Sequence, residues 1–250
     1  MGKVERYLLE RIRSEGAIHI TLIDPEEQSP TSAERMAKAA EAGETAAIMV
    51  GGSTVVSTIQ VNEVVKAIKQ QVEIPVIIFP NNVSSVSPFA DAIWFMSLLN
   101  SSDPYYLIKA QVLGAPLVKR YKLEAIPLGY IVLGQDTSVS FIGDVRPISH
   151  HRPDLVSAYA LAAQYLGMRF VYLEAGSGSK QPVPTPVIKV VKDCVDIPVI
   201  VGGGIRDPDQ ARECAIAGAT IIVTGTLVEQ VAVEKIEETI GRIVKGIRLE

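Results

Sequence analysis

The sequence has only two cysteines, Cys194 and Cys214, in 250 residues. No disulfide framework can be built from them, and they lack metal-ligand spacing. Histidine is scarce too. His19 lies inside an apolar run and His150 and His151 are neighbours in a polar stretch, so no pair has the helical spacing of a zinc site. No apolar run approaches the ~20 residues that span a bilayer. Residues 1–16 are charged throughout, unlike a secretory signal. An excess of basic charge is also missing: 24 Lys plus Arg against 28 Asp plus Glu give a net charge of −4, which argues against broad nucleic-acid binding. The expected setting is the reducing cytoplasm. No Gly-x-Gly-x-x-Gly follows the first apolar run, no serine nucleophile elbow occurs, and no lysine stands at a strand end to form a Schiff base.

What is present is apolar. Hydrophobic residues make up 48% and charged residues 21%, enough for a large core and incompatible with disorder. The mean hydropathy, +0.25, points to extra apolar surface in a pocket or subunit interface. Eight short runs rich in Val, Ile and aromatics read as strands buried on both faces: Ile18–Ile23, Ala46–Val50, Val76–Phe79, Ala92–Leu98, Ala125–Val132, Phe170–Leu173, Val199–Val201 and Ile221–Thr224. Helical patterns alternate with them at Thr31–Gly43, Val55–Val72, Asp103–Tyr121, Arg152–Leu166, Pro186–Val195, Pro208–Gly218 and Val231–Ile247. Asp103-Pro104 and Asp207-Pro208 read as an N-cap followed by proline at the first helical position. The alternation predicts one (β/α)8 TIM-barrel domain over 1–250, with a doubly wound sheet as the alternative. Asn81–Phe89 is short and carries Pro88, so a loop is expected in place of the third helix. Gly134–His151 reads as a polar excursion after the fifth strand.

In such a barrel the residues after each strand form the active site. Asp24, after the first, is placed either to cap the turn before Pro25 or to hold Mg²⁺ through hard carboxylate oxygens. Gly51-Gly52-Ser53-Thr54 opens a helix, where free N–H groups attract anions; Ser53 or Thr54 would serve equally as a plain N-cap. Tyr172-Leu173-Glu174-Ala175-Gly176-Ser177-Gly178 puts a carboxylate at a strand end directly before backbone donors. Gly202-Gly203-Gly204 and Gly225-Thr226 close strands seven and eight, the usual phosphate site of this fold. Three consecutive glycines weaken a packed sheet unless something must approach their backbone. Arg206, next in line, reads as a solvated or ion-paired side chain.

Together these segments resemble the geranylgeranylglyceryl phosphate synthase family, which makes the first ether bond of archaeal membrane lipids. The matching stretches are HITLIDPE (19–26), MVGGST (49–54), FMSLLNSSDPYYLIKAQ (95–111), YLEAGSGS (172–179), VGGGIRDP (201–208) and VTGTLVE (223–229), in order along nearly the whole chain. The excursion and the MSLLN-to-YY segment look like the larger of the family's two groups. The resemblance implies that Asp24 and Ser53 hold Mg²⁺ and, through it, the diphosphate of geranylgeranyl diphosphate. It implies that Tyr172 through Gly178, Gly203, Gly204, Gly225 and Thr226 bind sn-glycerol 1-phosphate, with Glu174 and Tyr172 catalytic. It further implies a homo-oligomer, dimer or hexamer, with the apolar stretch around Tyr105–Val118 as one interface. The paired DDxxD motifs of chain-elongating prenyltransferases are missing, so a single aspartate at the rim would be a different way to hold diphosphate. Trp94, the sole tryptophan, is expected in the core; the sharper alternative is that it lines the tail channel and limits donor length. Two other readings stay open on the glycine loops alone: a different phosphate-binding barrel enzyme, or a phosphometabolite-binding module without catalysis.

Overall fold

The computed structural model describes residues 1–54 and 57–248; the start of the helix read at Val55–Val72 lies outside the described residues. Eight parallel strands close into a barrel in chain order: β1 (Ile18–Ile23), β2 (Ala47–Val50), β3 (Val76–Ile78), β4 (Ala92–Leu98), β5 (Glu124–Val132), β6 (Phe170–Glu174), β7 (Val199–Gly202) and β8 (Ile221–Thr224). β8 pairs back onto β1, with Ile18 opposite Ile221 and Thr21 opposite Thr224. The barrel is the expected one, and β6 and β7 each run one residue past the end of their apolar runs. Glu174 and Gly202 are the last residues of β6 and β7 and face each other in register.

The outer ring holds α2 (Pro30–Ala42), α3 (Thr58–Lys69), α4 (Ala110–Tyr121), α6 (Pro153–Tyr165), α7 (Thr185–Cys194), α8 (Pro208–Ile216) and α10 (Val233–Ile247). The third barrel helix is replaced, as expected, by a loop with one 3-10 turn at Val83–Ser85. The excursion after β5 contains a short helix, α5 (Ser138–Ile142). Asp207 caps α8 as predicted, accepting from the Gln210 N–H at 2.8 Å. The second helix starts earlier than its threonine suggests: Ser29 is the cap, accepting from Ser32 N–H, and Pro30 takes the first position. Asp103 accepts from Tyr105 N–H, but a π-helical turn, Tyr105–Lys109, intervenes before α4 begins.

Two side-chain layers arise from strand alternation. Ile20, Met49, Ile77, Trp94, Ile126, Phe170 and Ile200 fill the barrel, and the opposite faces pack under the helices. Trp94 is fully buried there, edge-on to Phe170 at 5.1 Å between ring centroids, so the core role expected for it is met. The sequence reading assigns no element to residues 1–16, yet α1 (Lys3–Glu15) forms and closes the bottom of the barrel. Val4 and Leu8, one turn apart, join the interior cluster, and the Glu124 carboxylate accepts from the N–H groups of both Val4 and Glu5 at 2.8 Å. Glu5 is buried beside that stripe and pairs with Arg169, while Lys3, Arg6, Glu10 and Arg13 are exposed. Among the described residues no helix is long and apolar enough to cross a membrane.

His19 points into the outer layer. Its ring nitrogens each lie 2.9 Å from a threonine hydroxyl, Thr45 and Thr224. Burial pushes its pKa down from 6.5 to about 3. Because the folded value is lowered, its contribution is complete above the unfolded pKa and drains away as pH falls from there toward 3, by about 3 kcal/mol near pH 4. A His19→Gln variant is therefore expected to lose less Tm than the wild type between about pH 7 and about pH 4. Equal losses would refute this account.

Candidate active site

All eight strands run the same way, so the residues after them meet on one rim. Asp24 and Ser53, from the first two loops, line a cavity of about 280 Å³ there. Tyr172, Glu174 and Ser177 line the same cavity from β6 and its loop. Gly203, Gly204, Gly225 and Thr226 line it from the last two loops. Residue 24 and the two glycine turns thus share one chamber.

Glu174 is two residues after Tyr172, so both side chains enter the mouth from the same face of β6. Its carboxylate is buried and accepts from Gly176 N–H at 2.6 Å and from the Tyr130 hydroxyl at 3.2 Å. Burial raises its pKa, and those hydrogen bonds, with help from the Tyr172 hydroxyl, oppose the rise. Burial and the Glu174 charge push both phenols well above their ordinary range, so they remain neutral donors. Tyr130 and Tyr172 are register partners on β5 and β6, with rings 5.2 Å apart and nearly perpendicular. Phe79 stacks on Tyr172 at 5.5 Å. This aromatic wall fixes the carboxylate from below and keeps water from its buried side.

Beside it the backbone comes close. Gly203 and Gly204 have φ of 81° and 72°, which disfavours any side chain, and a Cβ at Gly203 would lie 2.3 Å from Glu174 Oε1. After β8 the chain turns into a short helix, α9 (Thr226–Glu229), whose first backbone bonds are donated by Val228 and Glu229 to Gly225. The amides before Val228 have no acceptor within the turn. Gly203, Gly204, Gly225 and Thr226 thus line one cavity with Glu174.

The other wall is acidic. Asp24 Oδ1 accepts from Glu26 N–H at 2.9 Å, and a Cβ at Gly52 would lie 2.1 Å from Asp24 Oδ2, so the second loop presses its backbone onto this carboxylate. Burial raises the Asp24 pKa, followed by the charges of Glu27 and Glu26. Glu229, on α9, accepts from Asp24 N–H at 3.4 Å and is pushed up to about 7, by burial first and then by Glu27 and Asp24. Among the described residues no Lys or Arg pairs with Asp24, Glu27 or Glu229. Concentrated oxygen ligands with uncompensated negative charge fit a hard divalent cation. Among the described residues no cluster of three or more His, Cys, Asp or Glu forms a full cage.

Not every residue named from the sequence reaches the chamber. Leu173 and Ala175 face the helix layer, Gly176 N–H is engaged by Glu174, and Gly178 stands outside the cavity wall. Arg206 is exposed and donates to the Ser179 carbonyl at 3.2 Å, tying loops six and seven together. Among the wall residues to which the sequence reading gives no role are Tyr130, Phe79 and Glu229, the last within the VTGTLVE stretch. Alternation along β5 puts Tyr130, two residues before that strand's end, on the inward face but does not mark it as a site residue. Glu229 stands three residues after Thr226, the spacing of one helical turn.

From the site the cavity continues sideways into the gap left by the missing helix, past Val86, Ile93, Phe95 and Val118. An apolar slot thus adjoins two polar cradles. The chain matches the model of the PcrB family over residues 10–246. It is 55% identical to the geranylgeranylglyceryl phosphate synthase of Thermofilum pendens, covering 99% of this chain and 96% of that protein. Identity to the Pyrococcus abyssi enzyme of the same name is 49%, over 99% of each. A crystal structure of (S)-3-O-geranylgeranylglyceryl phosphate synthase from Thermoplasma acidophilum, in complex with its substrate sn-glycerol-1-phosphate, superposes with a TM-score of 0.94 at 43% identity over 99% of both chains. With the barrel, its rim and these relatives in agreement, the chain belongs to the PcrB family of geranylgeranylglyceryl phosphate synthases.

Proposed function

We propose that this protein is a Mg²⁺-dependent prenyltransferase of the cytoplasm. It joins geranylgeranyl diphosphate to the 3-hydroxyl of sn-glycerol 1-phosphate, giving geranylgeranylglyceryl phosphate and diphosphate. The observation that carries this reading is the single chamber in which an acidic cradle, a main-chain anion cradle and an apolar slot meet. A binding module for one phosphometabolite would have no use for the first and last of these. The shared identity with synthases of that name supports the same assignment.

Asp24 and Ser53 would hold the metal. When bound, Mg²⁺ would neutralise the diphosphate as it departs. The amides around Gly203, Gly204, Gly225 and Thr226 bind the acceptor phosphate, and Ser177 lies beside them. Glu174 orients the 3-hydroxyl toward the allylic carbon. As that carbon's bond to the diphosphate oxygen breaks, the new ether bond forms and Glu174 takes the hydroxyl proton. Tyr130 and Tyr172, fixed as neutral donors, hold the carboxylate in place. Ile108, Val112 and Leu113 stand exposed on the outer side of the helix after β4, which supports assembly as a homo-oligomer through that face.

A thermal-shift titration tests the assignment. Glycerol 1-phosphate alone, and a prenyl diphosphate with Mg²⁺, are each expected to raise Tm by about 5–10 °C at a hundredfold excess over Kd. Radiolabelled glycerol 1-phosphate should enter an organic-soluble product only when both donor and Mg²⁺ are present. No shift with glycerol 1-phosphate would overturn the proposal.

A further inference from the structure

One seam of the barrel is built differently from its neighbours. On β2, β3, β6 and β7 the outward-facing residues are all aliphatic and pack under the helices. Where β8 meets β1, polar side chains take part of that layer: His19 and Thr21 on β1 and Thr224 on β8, with Thr45 just before β2. All four are buried. Taking an imidazole and three hydroxyls out of water is destabilising unless each is paired, and here each is. Thr21 Oγ1 donates to Thr45 Oγ1 at 3.2 Å. Thr45 gives its one hydrogen to a backbone carbonyl, that of His19 at 3.1 Å or of Ala47 at 3.3 Å. Its oxygen is left to accept from His19 Nδ1–H. The ring, kept neutral by its burial, then carries no proton on Nε2, so Thr224 Oγ1 donates to that nitrogen at 2.9 Å.

The imidazole crosses the seam that closes the barrel. His19 is in register with Ile222, and Thr224 lies two residues further along β8, so the bond between them runs diagonally from strand to strand. Thr224 is the last residue of β8; Gly225 follows, Thr226 begins α9, and all three line the chamber. His19 itself is not part of the chamber wall. Its hold on the chain therefore falls one residue before the turn assigned to the acceptor phosphate. An aliphatic residue at 19 would fill the layer as on β2, but would leave the Thr224 hydroxyl buried without its acceptor. We propose that His19 is a positioning residue for the acceptor: through Thr224 it fixes the end of β8 so that the Gly225-Thr226 turn meets the phosphate of glycerol 1-phosphate. The inference rests on the prenyltransferase reading, and within it on the part given to that turn.

The test measures, by calorimetry, binding of sn-glycerol 1-phosphate and of geranylgeranyl diphosphate with Mg²⁺ to the wild type, His19→Asn, His19→Gln and Thr224→Val. Asparagine places a donor near the Nδ1 position but does not reach Thr224, whereas glutamine extends an acceptor toward the Nε2 position. Thr224→Val removes the hydroxyl and keeps the branched shape. His19→Asn and Thr224→Val are each expected to raise the Kd for glycerol 1-phosphate about 10-fold, the scale on which a buried polar group deprived of its partner is felt. His19→Gln should recover most of that loss. The Kd for the donor should change by less than about twofold, and in turnover the defect should appear in the acceptor KM rather than in kcat. If His19→Asn does not fold, Thr224→Val carries the same comparison. A purely structural histidine would lower Tm and leave the acceptor Kd alone. That result, an equal weakening toward both substrates, or a His19→Gln no better than His19→Asn overturns the positioning role. A wild type that does not bind glycerol 1-phosphate overturns the reading on which the role rests.

Discussion

Glu174→Gln is expected to lower kcat by about 10²–10⁴-fold, the range that a positioned general base supplies. The amide keeps the shape of the side chain and can still meet the acceptor hydroxyl, but it cannot take the proton. Burial raises the Glu174 pKa, so the wild-type carboxylate protonates above the usual carboxylate range and activity should fall as pH drops through that value. The acid limb of kcat/KM should vanish in the Gln variant. Glu229, pushed up to about 7, titrates nearby, so Glu229→Gln is the control: the Glu174 limb should persist in it. If Glu174→Gln raises only KM and leaves kcat within about twofold, the residue anchors the hydroxyl without accepting its proton.

Asp24→Asn should be equally severe by a different route. It removes a charged oxygen that faces the second loop, and with it the charge stabilisation of the leaving diphosphate, several kcal/mol or about 10³-fold in kcat at saturating Mg²⁺. Stability should move the other way. In the metal-free protein Asp24 is charged in a partly buried place beside Glu26 and Glu27, and Glu229 adds a further carboxylate. A carboxylate whose folded pKa is raised destabilises the native state above that pKa. The metal-free Asn variant should therefore melt higher than the metal-free wild type at neutral pH, while its affinity for glycerol 1-phosphate, measured by titration without donor, changes little. A variant that is both inactive and less stable would show that Asp24 is a structural cap.

Much of this architecture is legible in the residues because parallel barrel strands are buried on both faces and leave continuous apolar runs. The ends of those runs then mark the rim, which is how Asp24, Glu174 and the two glycine turns stand out. Tyr130 does not, because an aromatic within a strand looks the same whether it meets a core neighbour or a carboxylate; only the register opposite Tyr172 distinguishes them. Glu229 is hidden for a related reason, since a glutamate at the end of a short helical turn reads as solvated until closure of the barrel brings α9 against the first loop. The first helix escapes notice because seven of its thirteen residues are charged and only Val4 and Leu8 are its buried apolar ones. The slot beside β4 is a property of an absent element, the helix replaced at Val83–Ser85, and a sequence shows such a gap only as a short connection.

Pairing of β8 with β1 has a consequence during synthesis. The strand that seals the cylinder, Ile221–Thr224, is translated some two hundred residues after its partner Ile18–Ile23. Until it leaves the ribosome, one edge of the first strand has nothing to pair with. Contacts this distant along the chain are slow to form, and open strand edges invite association with other nascent polypeptides. Protection of that seam by a chaperone would matter most in the interval between the emergence of β1 and that of β8.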